Sequence, residues 1–148
     1  MGLMQQTLAV SILLSSMPLL ALADDATPPD PPAPIPLTTE TENSEGVSIV
    51  ADTFGRTLYV FDKDLNQSAP TCEAACAEIW APYIINNDEA ARVQAPLGKI
   101  SRNSNRIQLT YKGRPVYTYA YDRQRGDDMG DLVGNVWHMI LANTEDSN

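Results

Sequence analysis

The sequence is poor in the residues and motifs on which many enzyme active sites depend. Its 148 residues include one histidine and two cysteines. It contains no G-x-S-x-G nucleophile motif and no glycine-rich phosphate-binding loop, so neither motif class points to catalysis. A serine hydrolase built around His138 would have no local motif behind it. The sequence therefore favours a non-enzymatic protein over an enzyme.

Lysine and arginine are absent from residues 24–45, which instead hold six acidic residues and six of the 11 prolines. A segment this acidic and free of aromatic residues cannot bury enough apolar surface to fold, so we expect a disordered, proline-rich linker with polyproline-II character. The 11 acidic and 10 basic residues of 46–142 nearly cancel. The net charge of −9 therefore belongs to the ends of the chain. A near-neutral remainder argues against nucleic-acid binding.

A long apolar run and a lipid-anchoring cysteine are also missing. The apolar stretch in residues 1–23 is interrupted by serine and proline, and a membrane span needs about 20 apolar residues. Ala21-Leu22-Ala23 has the small-x-small pattern of a signal-peptide cleavage site, and no cysteine follows it. We therefore expect a signal peptide over 1–23, no membrane span and no lipobox cysteine. The mature chain is expected to be soluble in the periplasm or the medium, with a flexible tail over 143–148.

What the sequence does contain is an internal repeat with an offset of about 58 residues. The segments 55–64 and 113–122 match at a glycine, an arginine, a first tyrosine, an aromatic residue two positions later and a closing aspartate. Trp80 and Trp137 extend the match with one residue of slack. Such self-similarity indicates two copies of one supersecondary unit.

Alternating apolar residues on both sides of Gly55 and Gly113 predict a β-hairpin in each copy. A short helix is expected to begin near Thr71, whose side chain could cap it. We therefore predict a mostly β fold with one or two short helices, in which two hairpin-based repeats pack as one small sandwich or barrel-like domain. The domain is expected over 46–142, with the copies at about 47–82 and 105–141.

The two cysteines, Cys72 and Cys76, are separated by three residues. In an exported chain, two cysteines this close favour a disulfide. A metal site or a redox-active thiol pair is the alternative. Covalent haem attachment is disfavoured because Ala77, not histidine, follows the second cysteine. Since the bridge would close a very short loop, its stabilising effect is expected to be only about 2 kcal/mol.

The candidate metal ligands lie in the second copy. His138 could bind a metal together with Met129 or Met139, since histidine combined with sulfur ligands suits copper. A copper electron-transfer site normally uses two histidines, and the chain has one. A hydrogen-bonding surface histidine is the alternative interpretation.

Further candidate ligand or partner residues are acidic or aromatic. Asp127, Asp128 and Asp131 lie in a glycine-bounded loop, where clustered carboxylates could bind Ca²⁺. Their spacing does not match an EF-hand, and solvated turn residues are the alternative. Tyr59, Tyr117 and Tyr119 are expected on one face of the predicted strands, as core edges or as anchors for a partner. The aspartates that close the motif, Asp64 and Asp122, are expected to accept hydrogen bonds from backbone amides.

The doubled motif Y-x-[FWY]-x-x-D resembles the bacterial "secreted repeat of unknown function" family, whose members are also described as predicted lipoproteins. The segments T-C-x3-C-A-x2-W-x-P and G-D-x2-G, the latter followed by V-W-H, share this resemblance, which covers about residues 47–141. It implies export and a repeated fold without an established activity. The chain departs from many members in lacking the lipobox cysteine.

Two functional hypotheses follow. The first is an exported binding or adaptor domain that holds an unknown protein or small-molecule partner. The alternative is a metal- or haem-associated protein of an extracytoplasmic redox or metal-handling system, with His138, Met129 or Met139 as ligands. The sequence does not identify a cofactor.

Overall fold

The computed structural model describes residues 36–142, together with Gly2. The fold described here belongs to the second of the two units into which the chain divides, Ala33–Asn148. The predicted signal peptide, most of the predicted linker and the predicted tail lie outside the described residues.

The domain consists mainly of short strands. The strands are β1 (Thr38–Glu42), β2 (Ser48–Asp52), β3 (Tyr59–Phe61), β4 (Trp80–Pro82), β5 (Ile84–Ile85), β6 (Leu97–Ser101), β7 (Ile107–Tyr111), β8 (Arg114–Tyr119) and β9 (Trp137–Met139), and the α-helices are α1 (Ala75–Ile79) and α2 (Asn87–Arg92). Short 3-10 turns span Asp62–Asp64, Asn103–Asn105 and Val133–Asn135. None of the helices in residues 36–142 has the length and apolar composition needed to cross a membrane.

The strands form two antiparallel sheets. The larger has the order β5-β7-β8-β3-β9, with β4 also paired to β8 and β6 to β7, and the smaller consists of β1 and β2. Within the described part of the chain the larger sheet does not close into a barrel. The predicted fold class, a small, mostly β sandwich-like domain with two short helices, is confirmed.

Strand pairing repeats in the two halves of the domain. β1 pairs with β2 over five residue pairs, and β6 pairs with β7 over five as well. Later in each half comes a central strand, β3 or β8, and then a tryptophan strand, β4 or β9. We call β1–β4 repeat one and β6–β9 repeat two.

The structure corrects the predicted linker and the predicted start of the first copy. Residues Thr38–Glu42, which sequence analysis assigned to a disordered linker, form β1. The prediction was wrong there because order comes from pairing with β2, which the local composition does not reveal. The Tyr83 hydroxyl also donates to the Leu37 carbonyl at 2.6 Å, so the segment is also held by the connection between β4 and β5.

The two repeats are interlocked across the large sheet. The central strands β3 and β8 pair with Tyr59 opposite Tyr117. Each tryptophan strand then pairs with the central strand of the other repeat, β9 with β3 and β4 with β8. Each repeat therefore completes the sheet of the other.

The central strands are buried on both faces, as the apolar residues of 58–61 predict. On one face, Leu58, Val60 and Val116 belong to an aliphatic core. On the other, Tyr59 and Tyr117 belong to an aromatic core with both tryptophans and Cys72. Alternation along a strand sends successive side chains to opposite faces, so the repeated motif supplies one residue type to each core. Gly55 and Gly113, at the hairpin turns, have positive φ values of 88° and 79°, which glycine adopts without strain.

Candidate functional site

Four aromatic rings stack into a column in the aromatic core. The order is Phe61, Trp137, Trp80 and Tyr119, with successive ring centroids 4.1, 3.8 and 4.2 Å apart. The two indole planes differ by 3°. Each repeat contributes two rings, and the two tryptophans meet at the centre because β4 and β9 flank the central strands. We call these four residues the aromatic column.

Tyr59 and Tyr117 pack edge-on against the two tryptophans of the column. Tyr59 meets Trp80 edge-on at 5.4 Å, and Tyr117 meets Trp137 edge-on at 5.2 Å. Both tyrosines are fully buried. Neither ring therefore offers surface to a partner, and any part that these two candidate residues play in binding is indirect.

The buried hydroxyls explain why the sequence motif ends in aspartate. Tyr59 donates to Asp122 at 2.6 Å, and Tyr117 donates to Asp64 at 2.7 Å. Each tyrosine thus bonds to the aspartate of the other repeat. The aspartates also accept backbone amides as predicted, Asp64 from Thr71 and Asp122 from Met129. The Thr71 side chain donates to Asp64 and caps no helix, which corrects the predicted helix start; α1 begins at Ala75.

The two aspartates have different surroundings. Burial, reinforced by the neighbouring carboxylates Asp127 and Asp128, raises the pKa of Asp122 to about 6, although its hydrogen bonds oppose the shift. Beside Tyr117, by contrast, lie the amide of Gln108 and the guanidinium of Arg102, which hydrogen-bond to each other at 2.8 Å. Burial, followed by the hydrogen bond to the aspartate, raises the pKa of both tyrosine hydroxyls. Both phenols therefore carry their protons at neutral pH.

Each of the two motif aspartates, Asp64 and Asp122, accepts a backbone amide from the residue seven positions later in the chain, which is Thr71 in repeat one and Met129 in repeat two. The next residue is buried in each case: Cys72 in repeat one and Gly130 in repeat two. A Cβ atom on Gly130 would lie 2.8 Å from Tyr59 Cζ and 2.9 Å from Trp80 Cη2. Glycine is needed here because the loop backbone lies against the rings.

The predicted disulfide between Cys72 and Cys76 is present, with a Cα–Cα distance of 5.3 Å. Cys72 is packed in the aromatic core, and its carbonyl accepts a hydrogen bond from Arg102 at 2.6 Å. The bridge holds the repeat-one loop against the core at the position where repeat two has Gly130.

The exposed residues of the two loops differ in chemistry. Repeat two has Tyr121, Met129 and Leu132, which are 51%, 65% and 60% exposed. At the corresponding positions, 58 residues earlier, repeat one has Lys63, Thr71 and Ala74, all exposed. Tyr121 also contacts the half-buried Tyr119 at 5.3 Å. We call Tyr119, Tyr121, Met129 and Leu132 the repeat-two loop surface.

The three candidate loop carboxylates all have roles in shaping this loop. Asp127 accepts the backbone amides of residues 123 and 124, and these bonds lower the pKa of its carboxyl. Asp128 accepts from the Asn43 side chain at 2.7 Å, and Asp131 accepts from the Met139 amide at 2.9 Å. Among the described residues no group of three or more histidine, cysteine or acidic side chains is placed to hold a metal ion.

His138 lies in a hydrogen-bonded cluster with Asp62 and Arg114 that the sequence did not indicate. Its Nε2 is 2.9 Å from Asp62 Oδ2, while the other oxygen of Asp62 accepts from Arg114 at 2.9 Å. The His138 hydrogen bond, followed by that of Arg114, lowers the pKa of the Asp62 carboxyl. Met139 packs instead against the aromatic core, so two of the candidate metal ligands face opposite sides of β9.

The Asp62 cluster has no counterpart in the other half of the described domain. The corresponding positions to Asp62 and His138 hold Ala120 and Ala81. Asp62 lies inside the repeated motif, but sequence reasoning singled out only the aspartate at its end. The comparison of position 62 with position 120 was the signal that could have identified it.

Comparison with known proteins identifies a described family. The family model described as "Secreted repeat of unknown function" matches residues 98–140. This range begins within β6 and ends just after β9, so it corresponds to repeat two, and the resemblance inferred from the motifs is confirmed there. No curated protein and no solved structure matches the chain.

Proposed function

We propose that this domain is an exported binding or adaptor module whose contact area is the repeat-two loop surface. The observation that carries the proposal is the difference between two structurally equivalent loops. One loop exposes lysine, threonine and alanine, whereas the other exposes tyrosine, methionine and leucine at the same three positions. Large apolar side chains that one loop exposes to solvent favour an interaction site over a solvated turn.

The loop is also held in place before any partner arrives. The Asp122 carboxylate accepts the Met129 amide, the Tyr59 hydroxyl accepts the Gly130 amide, and Thr57 donates to the Asp127 carbonyl. A contact area fixed in this way loses little conformational entropy on binding. Tyrosine and methionine suit such a surface, because one supplies a rigid amphipathic ring and the other an adaptable apolar chain.

An exported location is part of the proposal. It is supported by the signal-peptide pattern of residues 1–23 and by the description of the matched family as secreted. The disulfide is in keeping with an oxidising compartment.

The exchange of residues between the loops provides the test. A triple variant, Tyr121→Lys, Met129→Thr and Leu132→Ala, gives repeat two the side chains of repeat one. Phe54→Ser is the matched control, since Phe54 is 79% exposed and lies outside the loop. Envelope proteins captured by the wild type and identified by mass spectrometry should then be purified and titrated calorimetrically. We expect binding by the wild type and the control but not by the triple variant; equal binding by all three would refute the proposed surface.

A metal- or haem-associated role is the second candidate, and the Asp62–His138 contact favours it. Metal-binding histidines commonly have their second ring nitrogen oriented by a carboxylate, and Nε2 is the nitrogen that faces Asp62. Metal analysis of protein purified without a histidine tag tests this role. Stoichiometric metal that is lost in His138→Ala would support it, whereas metal-free wild-type protein would contradict it.

A further inference from the structure

The aromatic core contains the side chains that are most easily oxidised by one electron, in continuous ring contact. We propose that it conducts single oxidising equivalents: an electron vacancy created at Tyr121 passes through Tyr119 and Trp80 and comes to rest on a buried tyrosine. In this activity the domain acts as a sink for one-electron oxidants, such as peroxyl radicals or high-potential metal complexes. The activity is separate from partner binding.

The contacts provide an unbroken path. Tyr121 contacts Tyr119 at 5.3 Å, Tyr119 stacks on Trp80 at 4.2 Å, and Trp80 stacks on Trp137 at 3.8 Å. From the two indoles the path reaches Tyr59 at 5.4 Å and Tyr117 at 5.2 Å. All of these are ring-to-ring contacts, and electron transfer between aromatic groups becomes faster as their separation falls.

The path has an exposed end and a closed end. At the repeat-two end Tyr121 is 51% exposed, so an oxidant in solution can reach it. At the other end the column terminates in Phe61, which is 7% exposed and has the Lys63 ammonium 5.9 Å from its ring centroid. Phenylalanine is far harder to oxidise than tyrosine or tryptophan. The column therefore ends in a ring that is hard to oxidise in repeat one, Phe61, and in a ring that is easily oxidised in repeat two, Tyr119.

The buried tyrosines can complete the step because each has a proton acceptor in place. A phenol that loses an electron becomes strongly acidic and must lose its proton as well. The exposed Tyr121 releases this proton to water when the oxidant takes its electron. It takes a proton back from water when an electron arrives from Trp80 across the ring of Tyr119, which leaves Trp80 as a radical cation. Tyr59 would release one electron to the oxidised Trp80 and its proton to Asp122, along the 2.6 Å hydrogen bond. The products are a neutral tyrosyl radical, a neutral carboxylic acid and the reduced external oxidant. Tyr117 and Asp64 form the equivalent pair at 2.7 Å. An external one-electron donor, such as a thiol or a quinol, would restore the resting state.

Flash oxidation of the mature full-length protein tests this path. The probe is photogenerated tris(bipyridine)ruthenium(III), a bulky one-electron oxidant that stays at the surface. Transient absorption should show a tryptophan radical that decays into a tyrosyl radical, and the second step should slow in D₂O because a proton moves with the electron. A wild-type protein that forms no tryptophan radical, or a second step without an isotope effect, would overturn the proposal.

Variants separate conduction from a purely structural role. Tyr121→Leu replaces an exposed residue, so the fold is retained, and we expect loss of most of the tryptophan radical. The control is Tyr111→Leu, a tyrosine outside the path, which should leave the radical yield unchanged. Equal yields in wild type and Tyr121→Leu would refute the entry point, and equal losses in the two variants would refute the path. Tyr59→Phe combined with Tyr117→Phe should leave a long-lived tryptophan radical; an unchanged tyrosyl signal there would place the final radical elsewhere.

Discussion

The raised pKa of Asp122 makes the stability of the domain depend on pH in an unusual direction. Its pKa is about 6 in the folded protein against an ordinary value of 3.8. One pKa unit corresponds to 1.36 kcal/mol, so ionised Asp122 lowers the free energy of unfolding by about 3 kcal/mol at neutral pH. Since the folded pKa lies above the unfolded one, the folded protein binds a proton at Asp122 more tightly than the unfolded chain does. The stability that the protonated carboxyl contributes is fully present below pH 3.8 and is lost as the pH rises through about 6.

The perturbation that isolates this effect is Asp122→Asn. Asparagine keeps an oxygen for the Met129 amide but cannot ionise. We expect the free energy of unfolding of the wild type, relative to that of the variant, to increase by about 2.4 kcal/mol between pH 7.5 and pH 4. Urea denaturation followed by tryptophan fluorescence, repeated across this range, measures the difference. When the pH profile of the free energy of unfolding of the variant is subtracted from that of the wild type, the contributions of the titrating groups that both proteins share cancel.

Two results would refute the reasoning. Parallel stability profiles for wild type and Asp122→Asn between pH 4 and pH 7.5 would show that ionisation of Asp122 is not linked to folding. In a ¹³C NMR titration of the wild type, one aspartate carboxyl should titrate near pH 6, and this signal should be missing from Asp122→Asn. If no aspartate titrates there, or if the same signal remains in the variant, burial does not raise the pKa of Asp122. Tyr59→Phe is a second check, because it removes a hydrogen bond that lowers the Asp122 pKa, and the carboxyl should then titrate at a higher pH.

Three further predictions concern the loops, the core and the N-terminus. Gly130→Ala should lower the free energy of unfolding by about 1–3 kcal/mol, because the new methyl group overpacks Tyr59 and Trp80; a urea midpoint unchanged from wild type would contradict the close approach. Replacing both cysteines with alanine should cost about 2 kcal/mol, since a short closed loop is released, and thiol titration of denatured wild-type protein should find no free thiols. Two free thiols in protein expressed in the periplasm would disprove the bridge. Mass spectrometry of exported protein should find a mature chain that begins at Asp24, and an intact residue 1–23 segment would show that the predicted cleavage does not occur.

Much of the architecture could be predicted from local sequence, because it depends on local physics. The offset between Gly55 and Gly113 revealed the duplication, and both glycines have the positive φ that hairpin turns require. The unbroken apolar run of residues 58–61 indicated a strand buried on both faces, and β3 is buried throughout. The spacing of Cys72 and Cys76, in a chain expected to be exported, favoured the disulfide that is present. In each case the interacting residues are neighbours in the chain.

What only the tertiary structure decided involves residues far apart in the chain. The bond from Tyr59 to Asp122 spans 63 residues, and the contact of His138 with Asp62 spans 76. The motif showed that tyrosine and aspartate recur. That each tyrosine hydrogen-bonds to the aspartate of the other repeat depends on how β3 and β8 pair. The order of Thr38–Glu42 likewise depends on β2. A repeat in the sequence therefore determined the shared framework, whereas the packing of one copy against the other determined that Tyr59 and Tyr117 are buried and that the pKa of Asp122 is raised.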